Sequence, residues 1–166
     1  MAKLDVKELM EQEDTQKGKF LNFSIGSEMY GIEVRNVIEI IRILPMTEVP
    51  ELPEYIKGII NLRGKIIPVM DVRLRFKKPF KEYNDKTCII VIDIEDTYIG
   101  LIVDSVSEIV WIPEVEIVDL PELNKAGNRY IKGIGKVGNG VRLILDCYKL
   151  LTHSDFENLN SSVFKS

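Results

Sequence analysis

The chain has 166 residues, 45% of them apolar, and a formal net charge of −4. That apolar content is enough to bury a core, so the chain is not disordered as a whole. The acidic balance argues against nucleic acid or an anionic membrane as partner, because both are held by clustered lysine and arginine. No apolar run approaches the ~20 residues that cross a bilayer, so direct membrane insertion is not expected either.

Residues 1–18 are polar and charged, without the apolar centre of a signal peptide, and read as a short helix or a disordered lead. From Lys19 the pattern turns to period two: Leu21, Phe23 and Ile25 alternate with Asn22 and Ser24, and Gly26-Ser27 marks a turn. Met29–Val34 and Val37–Ile43 read as further strands, rich in β-branched residues. Pro45, Pro50 and Pro53 fence off a loop, and Pro53–Lys57 is expected to make one helical turn stopped by Gly58. Ile59–Leu62 and Lys65–Met70 flank Arg63-Gly64 as a hairpin, Val72–Phe76 is a short closing helix, and 77–85 is a charged linker. The cycle then restarts with strands at Thr87–Ile94, Tyr98–Val103 and Val106–Ile112. A looser connection at 113–129 leads to a second turn-and-hairpin, a strand at Val141–Asp146, a short helix at Cys147–Leu151 and a polar tail.

The restart is a repeat. Tyr-Ile-Lys-Gly-Ile occurs at Tyr55–Ile59 and again at Tyr130–Ile134, an offset of 130 − 55 = 75. Gly31-Ile32-x-Val34-x-x-Val37-x-Glu39-Ile40 is echoed by Gly100-Leu101-x-Val103-x-x-Val106-x-Glu108-Ile109, offset 100 − 31 = 69. Self-similarity at a fixed spacing means one small unit used twice. Roughly five short strands per copy predict an all-β chain of small closed barrels.

Little in the chain suggests catalysis. Gly133-Ile134-Gly135-Lys136-Val137-Gly138 spells a dinucleotide-binding pattern, but a β-branched strand follows where a helix N-terminus is required. The only histidine, His153, stands in the tail beside Ser154 and Asp155, and neighbours in sequence cannot converge as a triad. One histidine and two distant cysteines, Cys88 and Cys147, make no metal set; the cysteines read as buried small hydrophobes of a reducing compartment. No cofactor or metal is expected. Asp71, Asp93, Asp104 and Asp146 lie at strand ends, so a small carboxylate-dependent hydrolase stays open as the alternative function. The sequons at Asn22-Phe23-Ser24 and Asn160-Ser161-Ser162 read as chance matches in a cytoplasmic protein. Val37–Ile43 is the notable segment: Val37, Ile41 and Ile43 share one face with Glu39, and Ile38 and Ile40 lie on the other. A strand apolar on both faces is sandwiched between units or docked on a partner.

The run Tyr55-Ile56-Lys57-Gly58-Ile59-Ile60-Asn61-Leu62-Arg63-Gly64-Lys65-Ile66-Ile67-Pro68-Val69-Met70-Asp71 resembles the signature segment of the CheW family of bacterial chemotaxis coupling proteins. Phe20–Ile25, Tyr30-Gly31-Ile32 to Ile40, and Gly100–Val106 with Val103-Asp104 add to the likeness, which covers about residues 18–151. The resemblance implies two five-stranded SH3-like barrels in a domain over 19–151, intertwined and split near 77–86, between a lead at 1–18 and a tail at 152–166. It implies a non-enzymatic adaptor, a monomer when free, that couples chemoreceptors to the histidine kinase CheA. Leu21, Val34, Val37, Ile40, Val103 and Val106 match positions lining a receptor-binding groove for the receptor's hairpin tip. Gly58, Glu39 and Arg63 match positions tied to receptor and kinase coupling, and Met46 a contact with the kinase's regulatory domain. In the second copy Gly135-Lys136-Val137-Gly138 stands for Asn-Leu-Arg-Gly, so the arginine belongs to one half only. A hydrolase would gather acids with raised pKa values in one deep pocket, whereas an adaptor would show apolar surface rimmed by charge. A nucleic-acid-binding barrel would need a basic face with exposed aromatics.

Overall fold

The structure, a computed structural model, describes residues 16–119 and 129–151. The first copy supplies β1 (Lys19–Ile25), β2 (Glu28–Glu33), β3 (Val37–Arg42), β4 (Ile56–Leu62), β5 (Lys65–Asp71) and a helical turn, α1 (Val72–Arg75). The second supplies β6 (Cys88–Ile94), β7 (Thr97–Val103), β8 (Ser105–Trp111), β9 (Ile117–Val118), β10 (Ile131–Val137) and β11 (Gly140–Leu145), then a 3₁₀ turn at Cys147–Lys149. His153, the lead through residue 15, and the 160–162 sequon lie outside the described residues.

These strands form two sheets, ordered β3-β6-β7-β5-β4 and β8-β1-β2-β11-β10-β9. Replacing each strand by its counterpart in the other copy turns the first order into the first five strands of the second. The registers agree: Val69 pairs with Gly100 across the parallel β5–β7 ladder, and Ile144 with Gly31 across β11–β2. Both pentapeptides therefore hold equivalent topological positions, as the repeat predicts. Neither sheet belongs to one copy, however. Each takes two adjacent strands from one repeat and the rest from the other. The charged stretch at 77–86 separates the copies along the chain but not the barrels in space.

The exchange explains why β6 is apolar at every position but Asp93. Ile89 and Val91 face the core of the five-stranded barrel with Ile60, Ile67, Val69 and Ile102. Ile90, Ile92 and Ile94 face a central cluster between the sheets, with Leu21, Phe23 and Ile32 from the other copy. A strand covered on both sides has no polar face to show. The second barrel has a much smaller core, centred on Phe20, Ile112 and Ile144. Asn22 is wholly buried, and its amide finds no hydrogen-bond partner among the described residues. Its counterpart by the 69-residue offset is Val91.

Gly58 does not stop a helical turn as expected; it lies inside β4, and the preceding residues make a plain turn closed by Ile56 N–H donating to Pro53 O at 2.9 Å. Its role is barrel closure. After β3 the chain returns, and Thr47 exchanges two 2.9 Å backbone hydrogen bonds with Ile59 on β4. At Gly58 φ is +154°, and a Cβ there would stand 2.4 Å from the Thr47 carbonyl oxygen. In the second barrel β9 closes on β10 in the same way, and a Cβ on Gly133 would meet Ile117 at 2.8 Å. The tyrosine of each pentapeptide has a matching duty. The Tyr55 carbonyl accepts from Asp71 N–H and the Tyr130 carbonyl from Asp146 N–H, each at 2.7 Å. Asp71 and Asp146 then cap the turns that follow, accepting from Leu74 N–H and Tyr148 N–H.

A partly buried ion pair ties the elements across the exchange. Asp104, just after β7, accepts from Arg73 Nε and Nη2 at 2.9 and 2.7 Å and from Gly26 N–H at 2.7 Å. Burial alone would raise the Asp104 pKa; the Arg73 hydrogen bonds and charge and the Gly26 N–H outweigh it and hold it below the ordinary value. A carboxyl depressed in the folded state stabilises fully above its unfolded pKa of about 4 and loses that contribution as pH falls through the folded value. Asp104→Asn is expected to cost about 1.5–3 kcal/mol at pH 7. Urea unfolding of both proteins from pH 7 down to pH 2 should show the gap closing in the acid range, and a gap independent of pH would contradict this role.

Candidate protein-docking site

Leu62 and Lys65 pair at the end of the β4–β5 ladder, leaving Arg63-Gly64 as a two-residue turn. Both turn residues are left-handed, with φ of +50° and +84°. Such mirror-image turns match the strand twist and favour glycine or asparagine at both positions. Asn61 Oδ1 accepts from Gly64 N–H at 2.8 Å and helps hold the turn. Arg63 thus sits where its own Cβ is disfavoured, a cost of order 1–2 kcal/mol. The register of β10 with β11 sets Gly138, φ +58°, opposite Arg63. The four-residue match of the sequence reading is therefore shifted by one position: Lys136-Val137-Gly138-Asn139 is the true counterpart of Asn61-Leu62-Arg63-Gly64. One copy uses glycine at the strained position, and the other keeps an arginine there.

Arg63 Nη2 donates to Glu39 Oε1. The two residues do not lie on neighbouring strands. Arg63 is in the turn, and β3 and β4 are opposite edges of the five-stranded sheet. The pair bridges the seam where that barrel closes. The Arg63 side chain is 70% exposed and that of Glu39 26%, so the pair contributes about 0–1 kcal/mol. Met46 lies farther along the same seam, half-buried on the first-barrel core and next to Gly58. A bulge between Val37 and Glu39 shifts the alternation of β3, so Val37 shares a face with Ile40 and not with Glu39 and Ile41 as the sequence pattern predicts. Ile38 and Ile40 are each 43% exposed.

The expected groove valines divide. Val34, in a 3₁₀ turn at Val34–Asn36, and Val37 and Val106 are half-buried against the central cluster. Val103 and Leu21 are members of that cluster, 1% and 4% exposed, and so support the surface from behind rather than line it. Both side chains are covered by the central cluster, so neither is open to a partner. Cavities of about 670 and 490 Å³ have other linings. With Val103 and Leu21 in the core, Val34, Val37, Ile40 and Val106 are the expected lining residues left at the surface.

The charge distribution does not resemble a hydrolase. Asp104, the carboxylate with a displaced pKa, is lowered and ion-paired. Asp71 accepts from Tyr83 Oη at 2.8 Å and caps α1. Among the described residues no group of three or more His, Cys, Asp and Glu could hold a metal ion. The Gly133–Gly138 pattern is β10 and its turn, followed by β11, so no helix end faces a phosphate. Both cysteines are free thiols: burial pushes Cys147 up to about 12, and Cys88 is only half-buried, more open than expected. The sequence reading missed Thr47, whose closing bridge has no apolar alternation to mark it. The doubled glycine of the pentapeptide was the available signal.

Similarity to known proteins agrees with this architecture. Residues 19–155 match the family described as the CheW-like domain. A chemotaxis protein CheW of Bacillus subtilis is 36% identical over 146 residues, covering 87% of this chain and 92% of its own. That of Klebsiella aerogenes is 32% identical over 143 residues, 86% of each chain. The crystal structure of the scaffolding protein TtCheW from Thermoanaerobacter tengcongensis superposes with a TM-score of 0.78 at 35% identity, covering 83% of this chain and 94% of that one. With its two interlocked SH3-like barrels, this chain belongs to the CheW family of non-enzymatic chemotaxis adaptors.

Proposed function

We propose that this protein couples chemoreceptors to the histidine kinase CheA in the cytoplasm, by protein–protein contact alone. The observation that carries the reading is Arg63. A fold that needs a left-handed residue at the hairpin tip uses glycine in one copy and arginine in the other, and a residue kept at a cost to stability points to a contact outside the fold. The Glu39 carboxylate holds the guanidinium over the seam. Elsewhere on β3, Ile38 and Ile40 offer exposed apolar surface. Arginine is a frequent anchor of partner interfaces. The receptor's helical hairpin tip would lie on the face of Val34, Val37, Val106 and Ile40, in the helix-on-groove manner. Gly58 keeps the seam closed, and Met46, Arg63 and Glu39 would meet the kinase's regulatory domain. No helix among the described residues is long and apolar enough to cross a membrane, so attachment to the signalling array would come from these contacts. Without a partner the chain would be a monomer.

Two measurements test this. Arg63→Gly supplies the residue that the turn prefers, so its unfolding free energy should match wild type within about 1 kcal/mol. In a reconstituted receptor–kinase assay it should nevertheless lose receptor-stimulated kinase activity, and normal stimulation would remove Arg63 from the site. Ile40→Asp places a charge on a side chain that is already 43% exposed, so folding should survive. Burying that unpaired charge should weaken receptor-fragment binding by at least tenfold, about 1.4 kcal/mol or more. Undiminished affinity would show that β3 does not face the receptor.

A further inference from the structure

Arg75 occupies a place where a charge is costly. It ends α1 and is 6% exposed. Its guanidinium carbon lies 4.4 Å from the centroid of the Tyr55 ring and 4.9 Å from that of Tyr130. The two tyrosines that open the repeated pentapeptide thus clasp one arginine where the copies meet. Its Nε donates to the Leu150 carbonyl at 2.5 Å. Its Nη2 is buried without a hydrogen-bond partner among the described residues. A guanidinium has five N–H donors, and a buried donor left unmatched is expensive.

Arg75 borders a cavity of about 490 Å³ that both copies line. One wall is aromatic: Tyr30, Phe76 and Tyr130 stand in a row, with centroids 5.5 and 5.3 Å apart. The rim adds Lys77, Lys78 and Arg129, and its one acid is Glu28, already paired with Lys78 at 3.5 Å. A chain of net charge −4 thus carries a local excess of positive charge around an apolar floor. Arg129 Nη2 donates to Tyr130 Oη, which sets a second guanidinium at the mouth.

We propose that this cavity binds a small molecule carrying a carboxylate or phosphate on a planar apolar ring. The anionic group would accept from Arg75 Nη2 and from Arg129, with Lys77 adding charge at the rim. Arginine forks suit both anions. The ring would lie against Phe76 and Tyr130. The volume is in the range of small-molecule sites, and an apolar lining with a few convergent polar groups is their usual chemistry. Because the cavity is built from both repeats, occupancy would also stabilise their junction.

Calorimetric titration of the full chain tests this with naphthoate, naphthyl phosphate, the uncharged naphthylmethanol and inorganic phosphate. At least one ring-bearing anion should bind one to one, and at least tenfold tighter than naphthylmethanol and than inorganic phosphate. Lys77→Ala alters an exposed side chain and should leave the melting temperature of the free protein unchanged, and Arg129→Ala, which also removes the bond to Tyr130 Oη, should lower it by a few degrees while folding survives. Each should weaken the bound anion, Arg129→Ala by tenfold or more. Failure of both anions to bind at millimolar concentration overturns the proposal, as does affinity that survives Arg129→Ala. Equal affinity for naphthylmethanol overturns the anionic half of the ligand class, and equal affinity for inorganic phosphate overturns the planar half. Preference between naphthoate and naphthyl phosphate identifies which anion the site takes.

Discussion

Two parallel ladders, β5 with β7 and β11 with β2, carry the whole architecture. Through them each copy of the repeat lends strands to the other's barrel, so neither copy has a complete sheet of its own. The central cluster follows from that exchange. Ile90, Ile92, Leu101 and Val103 from one copy pack on Leu21, Phe23, Ile32 and Met70 from the other. Parallel pairing is somewhat weaker per residue than antiparallel pairing and needs long connections. Burial on both faces compensates here, and the inner strands are among the most deeply buried segments of the protein.

The docking seam is a consequence of how the barrels close. A five-stranded sheet has two edges, and here β4 meets the chain after β3 through the Thr47 bridge and β3 itself through the Glu39–Arg63 pair. Gly58 permits the first, and a left-handed turn presents the arginine for the second. Edges are where sheets invite partners, and a seam held by one bridge and one exposed ion pair leaves its outer surface available. The second barrel closes instead with the two residues of β9, and its hairpin tip carries glycine and asparagine. The two halves share a backbone plan but differ in what they present.

Much of this was legible in the sequence. Period-two patterning located most strands to within a residue or two, although β4 begins before its expected start and β9 was not expected as a strand, and the doubled pentapeptide exposed the duplication. The segment after the glycine pattern at 133–138, Val141–Leu145, reads as a strand and is one. What escaped was non-local. Nothing in the alternation of β1 or β7 says which copy's sheet the strand joins, because a strand buried on both faces suits either. For the same reason Val103 and Leu21 read as lining when they are core: apolar identity marks burial but not what does the burying. The role of Gly58 was misread because a single glycine after a proline-rich loop looks like a stop. Only the 2.4 Å approach of Thr47 shows that it serves closure. The one-position error at Arg63 arose from counting glycines rather than ladder pairs.

The exchange can be tested by cutting the chain within the linker and producing residues 1–86 and 87–166 as separate fragments. If each barrel needs strands from both copies, neither fragment alone should show a cooperative unfolding transition. Mixed in equal amounts, they should associate and recover a single cooperative transition. Cooperative unfolding of either fragment alone would contradict the interlocked arrangement on which the rest of the account stands.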